Sequence, residues 1–286
     1  MPSKSDFPTP LVDVQWLSEH LSDPDLIVLD ASVPPVVPGF IALNAEGPLK
    51  VIPGARRMDY DKEICLPDSS LPHMMPGQAL FEEKIRELGV NSGSRLVVYD
   101  DTGVYASPRG WWMLRAMGHQ QVAVLDGGLP AWIAAGLSID SEYSSAPDSG
   151  DFNAQPAEYG FCNFETVLQA LDNPDYQIVD ARSNGRFHGI DPEPRPNLRG
   201  GHMPSARNLP CKAVVNDWYM KPPEELRMLF SDLVSPEQTL VTSCGSGLTA
   251  CMLTLAATLA GHKRCQVYDG SWAEWGMPSK LPVTTE

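Results

Sequence analysis

Cys244 stands in "SCGSGLTAC" (Ser243 to Cys251), between the apolar run "QTLVT" and the apolar segment "ACMLTLAATLAG". A β-rich run passing through a short polar loop into a helix-forming segment predicts a strand-to-helix turn, where an α/β protein points backbone N–H groups at a ligand. A thiol at such a tip meets successive N–H groups and the positive end of a helix dipole, and both favour the thiolate, the reactive form. Gly245 and Gly247 let the backbone curl close around the sulfur. Most free cysteines are small buried hydrophobes, and Cys251, on the apolar helix, is read that way. Cys244 is not, because a packing residue needs no glycine-rich polar loop after it. Five arginines, Arg182, Arg186, Arg195, Arg199 and Arg207, crowd into "ARSNGRFHGIDPEPRPNLRGGHMPSAR". They could hold a small anion or pair with Asp180, Asp191 and Glu193, and pairing is the better reading for Arg182, Arg199 and Arg207.

The elements that must position these residues come in two copies. "DLIVLDAS" (Asp25 to Ser32) matches "YQIVDARS" (Tyr176 to Ser183), and "IPGARRMD" (Ile52 to Asp59) matches "MPSARNLP" (Met203 to Pro210). "LVVYDDTGVYAS" (Leu96 to Ser107) matches "LVTSCGSGLTAC" (Leu240 to Cys251), and "GHQQVAVLDGGLPAW" (Gly118 to Trp132) matches "GHKRCQVYDGSWAEW" (Gly261 to Trp275). Each half alternates short β-branched runs with helical patterns, which predicts two tandem α/β domains, each a parallel sheet with helices on both faces. Their expected bounds are residues 8–140 and 164–283, joined by a linker over 141–163 rich in Ser, Pro, Gly and Asp. The duplication is an internal control: features shared by both halves are scaffold, and features of one half are candidates for chemistry. By that test His119 and His262, each after a helix-ending glycine, are structural, as are the Asp-Gly turns at Asp126 and Asp269. Asp100 falls opposite Cys244, so the cysteine is the novelty.

A chain of 286 residues with 43% hydrophobic and 20% charged residues has the composition of an ordinary folded protein of two domains. Its net charge of −15 argues against nucleic acid or an anionic membrane surface as partner. No run approaches the length of a membrane span, and the N-terminal "MPSKSDFPTPLVDVQWL" has no targeting pattern. Six cysteines without a CxxC pair or zinc-type spacing suggest reduced thiols in a cytoplasm, with no metal site.

"CGSGLTA", "DARSNGRFHG", "EPRP", "GHMPSARN" and "YDGSWAEWG", carried on a two-half plan, resemble the two-domain rhodanese superfamily, and within it the 3-mercaptopyruvate sulfurtransferases. The resemblance covers nearly the whole chain. It implies a catalytically silent first domain and a nucleophilic Cys244 that takes sulfur from 3-mercaptopyruvate as a persulfide and passes it to a thiol such as thioredoxin, or to cyanide. It implies that Arg186 and Arg195 bind the substrate's carboxylate and keto oxygen, for which guanidinium forks are suited, and that Gly245, Gly247, Leu248 and Thr249 form the sulfur's loop. Leu248 replaces the family's usual valine, an apolar exchange. Read alone, His73 is a surface-loop histidine and Asp61 a turn residue; the resemblance makes them, with Ser246, an acid/base relay. No organic cofactor is implied. Thiosulfate as donor is disfavoured by the absence of basic side chains at Gly245 and Ser246. A cysteine phosphatase would need an arginine where Ala250 stands, and a non-catalytic sulfur-carrier module would not need Arg186, Arg195 and His73.

Overall fold

The computed structural model describes Phe7 and residues 9–285. They fall into two compact units that are discontinuous in sequence. The first comprises the chain up to Cys65, Pro76–Glu158 and Asp217–Met220, and the second Leu66–Met75, Tyr159–Asn216 and the chain from Lys221.

In the first unit the order is β1 (Leu11–Val12), α1 (Val14–His20), β2 (Leu26–Asp30), β3 (Arg56–Arg57), α2 (Gln78–Glu87), β4 (Arg95–Tyr99), α3 (Ser107–Ala116), β5 (Val122–Leu125) and α4 (Gly128–Ala134). Its five strands lie in the order β1-β5-β4-β2-β3, all parallel. The second unit repeats the plan with β6 (Phe161–Cys162), α5 (Phe164–Ala170), β7 (Tyr176–Asp180), α6 (Asn184–Phe187), β8 (Arg207–Asn208), α7 (Pro223–Ser231), β11 (Thr239–Ser243), α8 (Thr249–Ala260), β12 (Cys265–Tyr268) and α9 (Ser271–Trp275). The intervening two-residue strands are β9 (Val215–Asn216) and β10 (Tyr219–Met220). The sheet order is β6-β12-β11-β7-β8, again all parallel.

The local signals recur in step. Asp13 caps α1 by accepting from the Trp16 N–H at 2.7 Å, and Asn163 caps α5 by accepting from the Thr166 N–H at 3.1 Å. The central strands "RLVVY" and "TLVTS" are buried at every position, as parallel strands covered on both faces must be. Arg56 reaches the Leu88 carbonyl at the end of α2, and Arg207 the Asp232 carbonyl at the end of α7. Arg207 and Arg199 therefore depart from the expected acid pairing. Arg199 Nη2 donates to the Trp275 carbonyl at 2.7 Å and Nη1 to the Leu281 carbonyl at 2.8 Å. Both guanidinium groups meet carbonyls that a helix end cannot pair within itself.

The stretch expected as a linker over 141–163 divides at Glu158: up to there it is an extended strap on the first unit, and residues 159–163 open the second unit with β6. The Ser144 N–H donates to the Ala55 carbonyl at 2.8 Å, Gly150 to Arg86 at 2.8 Å, and Phe152 is buried edge-on against Phe81. Its aromatic anchors, Phe152 and Tyr143, whose hydroxyl donates to Asp30 Oδ2 at 3.1 Å, have no period, so no pattern announced it.

Chain order reverses between β7 and β11: the path from β7 steps one way to β8, crosses back to β11 and continues to β12. The carboxyl ends of β7 and β11 thus form a switch point, where two adjacent loops part and leave a crevice. The first of those loops carries Arg182 and Arg186, and the second carries Cys244.

Candidate active site

Cys244 follows the last residue of β11 and is 2% exposed. Its backbone is held by the turn that begins α9. The Trp272 N–H donates to the Cys244 carbonyl at 2.9 Å, the Ala273 N–H to the Gly245 carbonyl at 2.8 Å, and the Cys244 N–H to Ser271 Oγ at 3.1 Å. In the first unit the Leu129 N–H donates to the Asp100 carbonyl at 2.9 Å, so Asp100 and Cys244 are equivalent in space as well as in sequence. Ser271 replaces Gly128, and both are left-handed, with φ of 49° and 53°. A buried serine is tolerated in that strained region because its hydroxyl is fixed twice, by the Cys244 N–H and by its own 2.8 Å bond to the Tyr268 carbonyl. Comparison of "DGG" with "DGS" in the two halves was the available sequence signal for Ser271.

The two loop glycines have separate reasons. Gly247 has φ of +75°, matching Gly103 at +128° in the first unit. Gly245 makes room for arginine: a Cβ there would stand 3.2 Å from Arg186 Nη2 and 3.8 Å from Arg195 Nη1. The structure therefore brings Cys244, Arg186 and Arg195 together. Replacing Gly245 by alanine is expected to push Arg186 aside and raise the KM for an anionic substrate severalfold with little change in thermal unfolding. An unchanged KM would show that the close approach has no role in binding.

The first unit's loop displays what this turn does with an anion. The Asp100 carboxylate, fully buried, accepts the N–H groups of Thr102 (2.9 Å), Gly103 (3.0 Å), Tyr105 (3.0 Å), Ala106 (2.9 Å) and Ser107 (2.8 Å), and the Ser107 hydroxyl at 2.7 Å. Burial pushes its carboxyl above the ordinary range and these donors pull it back. All six contacts donate, and a protonated carboxyl would need an acceptor, so the ionised form is the one this nest fits. The equivalent N–H groups in the cysteine loop belong to Ser246, Gly247, Thr249, Ala250 and Cys251. Leu248 and Thr249 are buried where α8 begins, and the Ser246 side chain is buried too.

Arg186 and Arg182 share an acid. Glu193, its side chain 2% exposed, takes Arg186 Nη2 at 2.6 Å and Arg182 Nη1 at 2.8 Å. Arg182 also grips Asp180, at 2.7 Å from Nη2, and lies over the Trp272 ring at 3.9 Å from its centroid. The expected pairing of Arg182 with Asp180 and Glu193 is present; that Glu193 extends it to Arg186 was not read from the sequence. Cys211, at the start of a short 3-10 turn (Cys211–Val214), is a second thiol of this neighbourhood. Burial, then the proximity of Cys244, pushes it up to about 12, a thiol that stays protonated at neutral pH. Burial likewise pushes Cys162 up to about 12.

Asp61 lies in a turn of the first unit, its N–H donating to Asp59 Oδ1 at 3.1 Å. His73, at φ of 59°, lies in the Leu66–Met75 segment, which packs with the second unit, where the Met75 N–H donates to Asp269 Oδ2 at 2.7 Å. The first unit mirrors this contact: the Met220 N–H donates to Asp126 Oδ1 at 2.9 Å. The Asp-Gly turns read as structural thus each anchor a distant segment.

The rhodanese-like domain family matches residues 13–135 and again residues 163–277. The chain belongs to the rhodanese family. Among rhodanese-family proteins, the human 3-mercaptopyruvate sulfurtransferase is 39% identical over 280 residues, spanning 94% of this chain and 93% of that protein. A rat thiosulfate sulfurtransferase is 38% identical over 276 residues, spanning 93% and 91%. The crystal structure of SseA from Escherichia coli, described with the rhodanese fold of 3-mercaptopyruvate sulfotransferases, superposes with a TM-score of 0.80 at 35% identity, covering 93% of this chain and 100% of that one. Overall identity to these rhodanese relatives does not separate the two sulfur donors, so the distinction falls to the loop and its charges.

Proposed function

We propose that this chain is a 3-mercaptopyruvate sulfurtransferase with Cys244 as its nucleophile. The observation that carries the reading is the placing of Arg186 and Arg195 beside Gly245, next to Cys244, in a loop whose own residues, Gly245 to Thr249, bear no charge. Substrate charge is then met from the side by guanidinium groups, as a planar α-keto acid requires, and not at the sulfur. The Cys244 thiolate attacks the substrate's sulfur, the carbon–sulfur bond breaks, and the carbon fragment departs with the electron pair as the enolate of pyruvate. The enolate takes a proton, and Cys244 keeps the sulfur as a persulfide. The Asp100 nest supports a persulfide cradle made by the equivalent N–H groups from Ser246 to Cys251.

Ser246, His73 and Asp61 are proposed as the proton source, with His73 the acid and Asp61 its orienting carboxylate. The repeat supports His73 in this role. Met75 stands to Asp269 as Met220 stands to Asp126, so His73 corresponds to Trp218, whose backbone crowds Gly103 of the first loop, at 2.8 Å from where its Cβ would be. The counterpart of Gly103 is Gly247. A thiol acceptor, reduced thioredoxin or a related dithiol, would attack the outer sulfur and release the Cys244 thiolate; cyanide would serve in an assay. All six cysteines are unbridged, which supports a reducing, cytoplasmic setting. The scheme uses neither metal nor organic cofactor.

The test supplies 3-mercaptopyruvate, thiosulfate and a phosphate ester in parallel and measures pyruvate, thiocyanate and phosphate. Pyruvate release is expected to dominate; thiosulfate turnover far above it would reassign the donor. Arg186→Ala is expected to raise the KM for 3-mercaptopyruvate about tenfold or more, the loss of one charge-assisted fork. An unchanged KM removes Arg186 from the substrate.

A further inference from the structure

We infer that Glu193 sets the charge this site accepts: it cancels Arg186, leaves Arg195 as a cation beside Cys244 that no acid pairs among the described residues, and so selects a monoanionic sulfur donor over a dianionic one. The inference rests on the proposed sulfurtransferase reading and extends it to a specificity-determining residue outside the loop.

The charges add up on named groups. Arg182 and Arg186 face Asp180 and Glu193, two cations against two anions, through contacts of 2.6 to 2.8 Å. The Asp180, Arg182 and Glu193 side chains are at most 2% exposed, so water does little to screen the cancellation. Arg195 approaches the same glycine and enters no ion pair among the described residues. Gly245 to Thr249 contribute no charge of either sign. With the Cys244 thiolate held by the loop N–H groups, a donor bringing one negative charge meets Arg195, and a donor bringing two carries a further surplus charge into a poorly screened site.

Glu193 also positions Arg186. Arg186 Nε lies 3.2 and 3.3 Å from the two carboxylate oxygens while Nη2 holds Oε2 at 2.6 Å, a fork-on-fork contact that fixes the guanidinium plane. Through Arg182 the same carboxylate is tied to Trp272, whose N–H holds the Cys244 carbonyl. The duplication shows that this assembly is not scaffold. The first unit has Ser32 where the second has Arg182, and there Asp30 is satisfied by the Ser32 hydroxyl and by Tyr143 at 3.1 Å. The cation at Asp30 comes from the edge strand instead, as Arg57 with Nη1 3.5 Å from Oδ1, and the chain running from Arg182 through Glu193 to Arg186 accompanies the cysteine.

Wild type, Glu193→Gln and Glu193→Asp are compared on 3-mercaptopyruvate and thiosulfate at one ionic strength, with kcat and KM determined separately. Glutamine keeps the shape and removes the charge. The ratio of kcat/KM for thiosulfate to that for 3-mercaptopyruvate is expected to rise about tenfold in Glu193→Gln and to return towards wild type in Glu193→Asp. A folded Glu193→Gln with an unchanged ratio overturns the inference, whereas a wild type that turns over neither donor overturns the proposed activity instead. Should Glu193→Gln not fold, the wild type decides: pyruvate, a monoanion, is expected to protect Cys244 from iodoacetamide at lower concentration than sulfate, a dianion. Equal or better protection by sulfate overturns the inference.

Discussion

Cys244→Ser is expected to abolish pyruvate release from 3-mercaptopyruvate, lowering it by at least about a thousandfold, and to leave the protein unable to gain the mass of a sulfur atom on exposure to substrate. Serine fits the 2%-exposed site and keeps the backbone contacts, since the Trp272 and Ser271 bonds are made to the residue's carbonyl and N–H. Thermal unfolding is therefore expected to change little. What is lost is the proposed nucleophile: a hydroxyl is protonated at neutral pH and attacks sulfur far more poorly than a thiol group does. Cys211 does not substitute for it, because burial keeps that thiol protonated. Intact-mass analysis after substrate exposure, with pyruvate measured in the same sample, checks both halves of the expectation. Pyruvate release that survives the substitution would place the nucleophile elsewhere.

Asp100→Ala is expected to cost about 3–5 kcal/mol of stability, the largest effect predicted for any single residue of the first unit. The substitution strips six donors of their common acceptor at once, in a nest that no water reaches from outside. The loop from Thr102 to Ser107 must then either rearrange or bury orphaned N–H groups. Asp100→Asn is expected to lose nearly as much, because the amide nitrogen turns a donor towards donors. Urea unfolding of the purified variants measures this, and a loss below about 1 kcal/mol for alanine would mean that the nest relaxes freely.

Much of this arrangement could be read in the chain before any coordinates. Paired segments such as "LVVYDDTG" and "LVTSCGSG" disclose the repeat because burial imposes the same apolar pattern on equivalent strands, and the Asp100 and Cys244 contrast isolates the candidate nucleophile. The tip of β11, the two glycines and the approach of Arg186 and Arg195 to Cys244 follow from it or from the family resemblance. Glu193 was visible only as an acid near arginines, since which guanidinium a carboxylate meets depends on loop geometry that periodicity does not encode. Arg199 and Arg207 were misjudged for a related reason: carbonyls at helix ends compete for arginine as strongly as carboxylates, and every residue carries one. The strap of residues 139–158 and the excursion of Leu66–Met75 into the second unit rest on a few backbone bonds and single anchors, such as Met75 to Asp269 and Phe152 to Phe81, which leave no pattern in composition.

The carboxylate of Asp100 has a use outside the unit that contains it. From Cα outward an aspartate runs Cβ, Cγ, Oδ, and a sulfur-loaded cysteine runs Cβ, Sγ, outer sulfur: the same number of bonds, ending in the same negative charge. One half of the polypeptide therefore holds a permanent, chemically inert surrogate for the transient state of the other. Cys244→Asp would carry that surrogate into the cysteine loop and hold it in the charge state of the sulfur-loaded form, with no sulfur to discharge.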